Sequence, residues 1–363
     1  MIVFLLILIP VLISTIVVVY NFFTAPIIKS GKNEITESDL VSVLIPARNE
    51  ENNIANCLNN ILQQDYKNLE ILVLDDQSTD KTNEIVKSFS QQHNNVFCYD
   101  GESLPSDWTG KNWACHQLSQ KTKGKYLLFV DADVELSPNA IRSALKIMSA
   151  KKVKMLSVFP TQKIKSFGEW LIVPLMNWLL LSFLPLKKVY DSPNASFIAA
   201  NGQFMLWDRA TYFSIEGHQQ VASAVVEDME LARKTKLKNK IITLLGGDII
   251  FCRMYKNFAN AFKGFSKNFF PGFNINPLLF IGFVLFLFFA FAVSTIFASI
   301  YSEYLIIVSM IVISRILIST LSNQNIFLNV FLHLPQMMLV LIIGFNSVLS
   351  TKFKYNSWKE RKL

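Results

Sequence analysis

A chain of 363 residues has ample material for a core, in one large domain or two smaller ones. Hydrophobic residues make up 51% of it and charged ones only 17%, which excludes a purely soluble protein. The net charge of +8 comes from scattered lysines beside apolar segments, so it suits anionic lipid headgroups and an anionic nucleotide, with no nucleic-acid partner expected.

Met1 to Phe23 is apolar and uncharged, interrupted only by Pro10, and is long enough to span a bilayer. It has no basic n-region and no small-residue cleavage site, so it reads as an uncleaved anchor. Residues 24–40, mostly polar from Gly31 to Asp39, read as a linker. Val41 to Pro46 is a buried-strand run, and the helix after it reaches about Gln64 with Ile54, Leu58, Ile61 and Leu62 on one stripe. A second strand, Leu69 to Leu74, ends in Asp75-Asp76-Gln77-Ser78-Thr79-Asp80. Ser78, Thr79 or Asp80 can cap the helix carrying Ile85, Val86 and Phe89. Asn95 to Tyr99 is a short third strand and Tyr126 to Val130 a fourth. This alternation predicts parallel βαβ units and a Rossmann-like α/β sheet. No G-x-G-x-x-G follows the first strand, so a bound nucleotide must be held by charged side chains.

The fourth strand runs into Asp131-Ala132-Asp133. Positions i and i+2 of a strand share a side, and open α/β sheets bind ligands at the carboxyl ends of their strands. Two carboxylates that close repel one another unless a cation lies between them, and Mg²⁺ or Mn²⁺ bridging to a diphosphate is a common arrangement. The alternative is a polar strand end with Asp133 capping the helix that starts near Pro138. Asp75 and Asp76 could accept hydrogen bonds from a nucleobase or ribose, or form a helix-capping turn. Lys111 lies on a Gly turn before a helix, where a cation can meet phosphate, although a lone lysine there is also an ordinary surface group. Asn201-Gly202-Gln203 is a polar turn in an apolar stretch, suited to lining a sugar site. Glu227 and Asp228 open a helix, where the dipole favours carboxylates without any catalysis. His218 reads as a ligand or base, or as a loop histidine satisfied by ordinary hydrogen bonds, and the second reading is preferred. The four cysteines, Cys57, Cys98, Cys115 and Cys252, form no C-x-x-C pair and read as reduced thiols.

Phe167 to Leu186, with Trp170, Pro174, Trp178 and Pro185, reads either as a segment in the headgroup interface or as a core helix; Phe258 to Phe273 repeats its character. Three apolar runs follow: Leu278 to Tyr301, Tyr304 to Leu321, and Ile326 to Ser350. Lys and Arg are abundant from Lys29 to Lys267 and again in the tail, so both should be cytoplasmic and one of the three runs should not cross. The middle run carries Arg315 and the last carries His333 and Pro335. The expected domains are an anchor (1–23), a linker (24–40), a catalytic domain (41–274) with an interfacial segment near 167–186, membrane helices (275–350) and a basic cytoplasmic tail (351–363).

In order, V-S-V-L-I-P-A-R-N-E, L-D-D-Q-S-T-D, W-T-G-K-N-W-A, F-V-D-A-D, N-G-Q-F and V-V-E-D-M-E-L-A-R resemble the family 2 glycosyltransferases, over about Val41 to Lys267. The Asn201–Arg233 string and the tail Trp358-Lys359-Glu360-Arg361 look most like bacterial membrane enzymes that glycosylate carotenoid acids and hopanoids. The resemblance implies a GT-A catalytic domain flanked by N- and C-terminal transmembrane helices, a metal-dependent inverting transfer, a nucleotide-sugar donor (a UDP-sugar) and a lipid acceptor. Pro46 and Glu50 would line the nucleotide pocket, Asp75 or Asp76 would meet the uracil or ribose, and Lys111 would approach the phosphates. Asp131 and Asp133 would hold the metal and diphosphate. Asp228, with Glu227 beside it, would be the general base. A polyprenyl-phosphate sugar transferase would use the same donor site and further cations near Asp228, for which Arg233, Lys234 and Lys236 are available. A catalytically silent membrane scaffold is the non-enzyme alternative. The Q/R-x-x-R-W box of processive members is missing, which argues against polymerisation and leaves Arg253 and Lys267 as candidate leaving-group contacts.

Overall fold

The computed structural model describes residues 1–30 and 39–353, and the backbone pairing of Ser357-Trp358 with Arg361-Lys362. Residues 31–38 of the expected linker and 354–356, 359–360 and 363 of the expected tail lie outside the described residues. The chain divides into two compact units: a sheet unit containing residues 26–161 and 189–252, and a helical unit containing 1–25, 162–188 and the long helices from Arg253 onward. Residues 162–188 and 253–274 therefore group with the apolar helices.

The sheet unit is assembled from β1 (Val41–Ala47), β2 (Leu69–Asp75), β3 (Val96–Asp100), β4 (Tyr126–Val130), β5 (Val134–Leu136), β6 (Met155–Phe159), β7 (Thr161–Gln162), β8 (Phe204–Asp208), β9 (Ile241–Leu245) and β10 (Ile250–Cys252). Seven of these form one sheet in the order β3-β2-β1-β4-β8-β6-β9. β1 to β4 are parallel to one another, as the βαβ spacing predicts, and β6 is parallel to β9. β8 is antiparallel to both β4 and β6. The sheet is thus mixed, where the sequence predicts a parallel one. The apolar run Phe204-Met205-Leu206-Trp207 is buried, and such a run reads the same in either strand direction. This reversal matters for the site. Val130 at the end of β4 pairs with Phe204 at the start of β8, so Asn201 to Gln203 enter where β4 leaves.

The side chains of Val43, Ile45, Ile71, Val73, Leu128 and Val130 are buried in one apolar core with Ile54, Leu58 and Ile61 of the helix Ile54–Leu62. At the opposite end of the strands Glu70 Oε1 accepts from Ser42 Oγ and from the Lys123 and Gly124 amides, tying β1, β2 and the entry to β4 together. The linker's first residues are not free: Ile28 N donates to Leu245 O (2.9 Å) and Leu245 N to Pro26 O (2.9 Å), which extends the sheet beyond β9.

In the helical unit, helices Ile2–Thr24, Pro277–Ala298, Tyr304–Leu321 and His333–Lys352 are long and apolar enough to cross a membrane. Asn21, fully buried, donates to Leu181 O and Leu184 O and accepts from Leu186 N, so the Trp-rich segment is fastened to the first helix. Phe297 packs on Tyr304 (5.3 Å between ring centroids), as expected of a hairpin turning at residues 299–303. The third apolar run is broken into Ile326–Phe331 and His333–Lys352. His333 meets Phe291 (4.5 Å), Gly344 lies against Val284, and Ser347 Oγ accepts from Phe270 N (2.9 Å). The last helix therefore starts beside the middle of Pro277–Ala298 and runs back toward its first turn.

Candidate active site

The carboxyl edge of the sheet gathers most of the sequence-predicted residues. Asp131 and Asp133 do not lie on β4; they occupy the turn between β4 and β5, closed by Val134 N donating to Asp131 O (3.1 Å). The turn, rather than strand alternation, makes the two carboxyls neighbours. Asp133 is no helix cap: helix Ala140–Lys151 starts after Asn139 with no side-chain cap. Its Oδ1 is buried without a hydrogen-bond partner. Burial, and then the charges of Asp131 and Glu50, raise the Asp133 carboxyl to about 7.

Lys111 is not on a turn but inside the first turn of helix Gly110–Ser119, whose Thr109 cap accepts from Asn112 N. Its Nζ lies 2.9 Å from both carboxyl oxygens of Asp131 and 3.4 Å from Glu227 Oε1. Burial would lower the ammonium's pKa, but Asp131 and Glu227 outweigh it and hold Lys111 well above the ordinary lysine range. Asp131 itself is raised by burial, with Lys111 opposing.

Glu227 and Asp228 open helix Glu227–Lys236. Asp228 Oδ2 accepts from Gly202 N (2.9 Å) and Oδ1 from Met229 N (2.8 Å). Burial, then the Glu227 charge, raise its carboxyl to about 7. Gly202 is the floor of this cluster: a Cβ there would lie 3.1 Å from Lys111 Nζ and 3.2 Å from Glu227 Oε1. Asp131, Lys111, Glu227, Gly202 and Asp228 thus converge from four separate stretches of chain.

The flanking residues of that turn are structural in their visible bonds. Asn201 Oδ1 accepts from Gln203 N, and the Asn201 backbone is held by Ser157 Oγ. Gln203 Nε2 lies 2.8 Å from Cys252 Sγ, and its Oε1 is buried and unpartnered. Cys252, which sequence reasoning left as a plain thiol, reaches this edge because β10 pairs with β5, a partnership without local signal. Burial and the charge of Asp133 hold its thiol well above the ordinary range.

On the nucleotide side, Asp75 ends β2 with Oδ2 accepting from Asn83 Nδ2 (3.0 Å) and Oδ1 buried and unpartnered. Asp76 is buried, its amide bonded to Ala47 O and its carbonyl to Arg48. Pro46 pairs with Leu74 across β1 and β2, and Glu50 Oε2 accepts from Asn53 Nδ2 (2.7 Å). Asp80, among the three candidate caps, is the one whose carboxylate accepts from Thr82. His218 is buried and bonded through Nδ1 to the Tyr212 hydroxyl (2.7 Å); burial, then Lys111, lower it to about 3, so it stays neutral.

The remaining cations are engaged elsewhere. Lys236 Nζ donates to Val189 O and Phe197 O, and Arg233 lies 3.5 Å from Glu230. In the helical unit Arg253 Nη2 is 2.8 Å from Glu169 Oε1, and Lys267 lies on helix Phe258–Phe273. Among the described residues no group of three or more His, Cys, Asp or Glu could hold a metal ion; the site offers a pair of carboxylates.

Residues 42–206 match the family model described as Glycosyl transferase family 2. The chain is 28% identical over 244 residues to a 4,4'-diaponeurosporenoate glycosyltransferase of Staphylococcus haemolyticus, covering 66% of this chain and 63% of that one. A protein of the same name from Staphylococcus aureus is 25% identical over 63% of this chain and 60% of its own. The match thus spans less than two thirds of these relatives' length. Among solved structures, a mannosyltransferase from Pyrobaculum calidifontis in complex with GDP-Man and Mn²⁺ aligns with a TM-score of 0.60 at 16% identity, covering 95% of this chain and 94% of that one. That likeness is one of fold. Motif order, mixed sheet and family match agree: residues 42–206 match glycosyl transferase family 2, and the fold is shared with the solved mannosyltransferase.

Proposed function

We propose that the protein is an inverting glycosyltransferase that moves a sugar from a nucleotide-sugar to an apolar lipid acceptor at the cytoplasmic face of a membrane. The observation that carries this reading is the cluster in which Asp228, with its pKa raised to about 7, sits beside the Lys111–Asp131 ion pair. A carboxylate tuned close to neutral pH suits general-base work, because it is ionised yet still basic enough to take a proton. Asp228 takes the proton of the acceptor's hydroxyl or carboxyl group as that oxygen attacks the anomeric carbon from the face opposite the diphosphate. The Gly202 amide fixes the orientation of the carboxylate. Lys111 supplies positive charge toward the phosphates, and Asp75 and Asp76 at the end of β2 suit the base and ribose of a nucleotide such as UDP.

Asp131 and Asp133 are the residues that would hold Mg²⁺ or Mn²⁺. The unpartnered Oδ1 of Asp133 and the mutual repulsion that raises its carboxyl both fit a divalent cation. Such an ion, when bound, neutralises charge on the departing diphosphate. The engagement of Lys236 by two carbonyls leaves less positive charge for a phosphate acceptor, so a carboxylic or hydroxylic lipid is the better substrate class. The names of the staphylococcal relatives point to a carotenoid acid.

The test is to incubate membranes containing the protein with a panel of labelled nucleotide sugars and extract the lipids. A labelled lipid that disappears in Asp228→Asn is expected. Label found only in water-soluble products, or an Asp228→Asn variant with full activity, would sink the reading.

A further inference from the structure

The helical unit contains only two acidic residues, Glu169 and Glu303, among its described residues. Glu169 is occupied by Arg253 at 2.8 Å. Glu303 precedes helix Tyr304–Leu321, so it lies 12 residues from Arg315, about 18 Å at the helical rise. Arg315 is nevertheless only 2% exposed, inside an apolar bundle. Its Nε donates to Asn329 O (3.3 Å), its guanidinium lies over the Trp178 ring (5.4 Å), and its Nη2 is buried with no partner. An isolated guanidinium buried without a counter-ion is a heavy penalty, and an intramembrane cation of this kind ordinarily marks a ligand.

The surroundings are built to receive one. Asn329 Nδ2 donates to Ser319 Oγ (2.9 Å) and Gln324 Oε1 (3.0 Å), which presents the carbonyl that holds Arg315. His333 meets the same indole edge-on (5.9 Å), and its Nδ1 has no partner; the Gln324 Nε2 atom is also buried without one. Asn329 and His333 come from the broken third run, whose short helix Ile326–Phe331 brings Asn329 back alongside Ser319, and Gln324 lies in the turn just before it. Arg315 is six residues from the end of its helix, about 9 Å, a depth that a head group can reach from one membrane face.

We propose that Arg315, with Asn329, His333 and Gln324 around it, forms a binding site for the anionic head group, carboxylate or phosphate, of an apolar-tailed molecule taken from the membrane. This site is independent of the sugar-transfer reading, since it rests on charge balance within the helical unit alone. Trp178 is its built-in reporter.

The full chain is reconstituted in phosphatidylcholine nanodiscs and titrated with three brominated quenchers: a long-chain carboxylic acid, the alcohol of the same chain, and phosphatidylglycerol. The fluorescence lost in Trp178→Phe defines the reporter component. Saturable quenching by an anionic quencher is expected at concentrations about 10–100-fold below those needed for the alcohol, the worth of a charge-assisted hydrogen bond. Arg315→Gln should erase that preference. Quenching by the acid alone identifies a long-chain acid, and quenching by phosphatidylglycerol alone identifies a bilayer phospholipid; either supports the site. Equal quenching by the alcohol in the wild type, or an unchanged preference in Arg315→Gln, overturns it. If Arg315→Gln does not assemble, the wild-type comparison of each anionic quencher with the alcohol decides by itself.

Discussion

Asp228 and Asp133 share a raised pKa of about 7 but are raised by different neighbours, and the difference is testable. For Asp228, after burial, the neighbour is Glu227, which also faces Lys111. A base must be ionised to act, so the acid limb of a kcat/KM profile should fall off near pH 7. Glu227→Gln removes a negative neighbour, lowers the Asp228 pKa and should move that limb to lower pH. A profile flat from about pH 5 to 8 would show that Asp228 is not the base. For Asp133 the charges are Asp131 and Glu50, and the consequence is one of stability. Its folded pKa is above the unfolded value, so its stabilising contribution is present at acid pH and is lost as pH rises through about 7. With chelator present, Asp133→Asn should therefore melt higher than the wild type near pH 8, by ~2–4 °C for each kcal/mol relieved, with the gap narrowing below pH 7 and closing only near pH 4. Added Mn²⁺ should raise the wild-type Tm and leave the variant unmoved, while sugar transfer is lost. A variant that still gains stability from Mn²⁺ would remove Asp133 from the cation site.

Two glycines show how the same sheet divides fold from function between its ends. At Gly124, entering β4, a Cβ would lie 2.6 Å from the Ser42 amide nitrogen and 2.8 Å from Leu40 O, both backbone atoms that cannot move. At Gly202, entering β8, its close contacts would be the ends of the Lys111 and Glu227 side chains, at 3.1 and 3.2 Å, with Asp228 Cβ at an ordinary 3.7 Å. Gly124→Ala should thus cost stability, about 1–3 kcal/mol or more by thermal melting, whereas Gly202→Ala should leave Tm nearly unchanged and displace Lys111. Loss of at least ~10-fold in transfer is the expected reading of that displacement, since it amounts to about 1.4 kcal/mol. Normal activity in Gly202→Ala would show that the lysine's position is not critical. These elements also mark where sequence reading stops. Strands β1 to β4 were legible because each is an apolar run ending in a polar cluster, and their carboxyl ends carry Asp75 and Asp131. The reversal of β8 was not, because a strand buried on both faces has no sequence signature of direction. Lys111 was visible as a cation near a glycine but not as the partner of Asp131, 20 residues on. Cys252 was invisible in its role, since only the pairing of β10 with β5 brings it to Gln203.

At the scale of the whole molecule, positive charge at both ends of three apolar runs poses a problem of parity, and the helical unit suggests its resolution. Helix Tyr304–Leu321 returns along Pro277–Ala298 from the Phe297–Tyr304 contact, which puts Leu321 on the side where Pro277 begins. We infer that the next run does not cross from there. Ile326–Phe331 climbs only as far as Asn329 beside Ser319, and His333–Lys352 descends again, past Val284 at Gly344 and past Phe270 at Ser347. The run enters and leaves on one side, a re-entrant hairpin whose irregular backbone at Leu332 is buried in protein, as the bilayer requires. On that reading three crossings remain, Ile2–Thr24, Pro277–Ala298 and Tyr304–Leu321, and the positive-inside rule predicts both basic regions on the cytoplasmic side. A protease-cleavable tag placed after Leu363 should be cut in inside-out vesicles and protected in sealed right-side-out ones, while a tag inserted at Ser302 should show the reverse. Cleavage of the C-terminal tag from outside would mean that His333–Lys352 crosses after all, and the positive-inside argument would then have to yield to a fourth span.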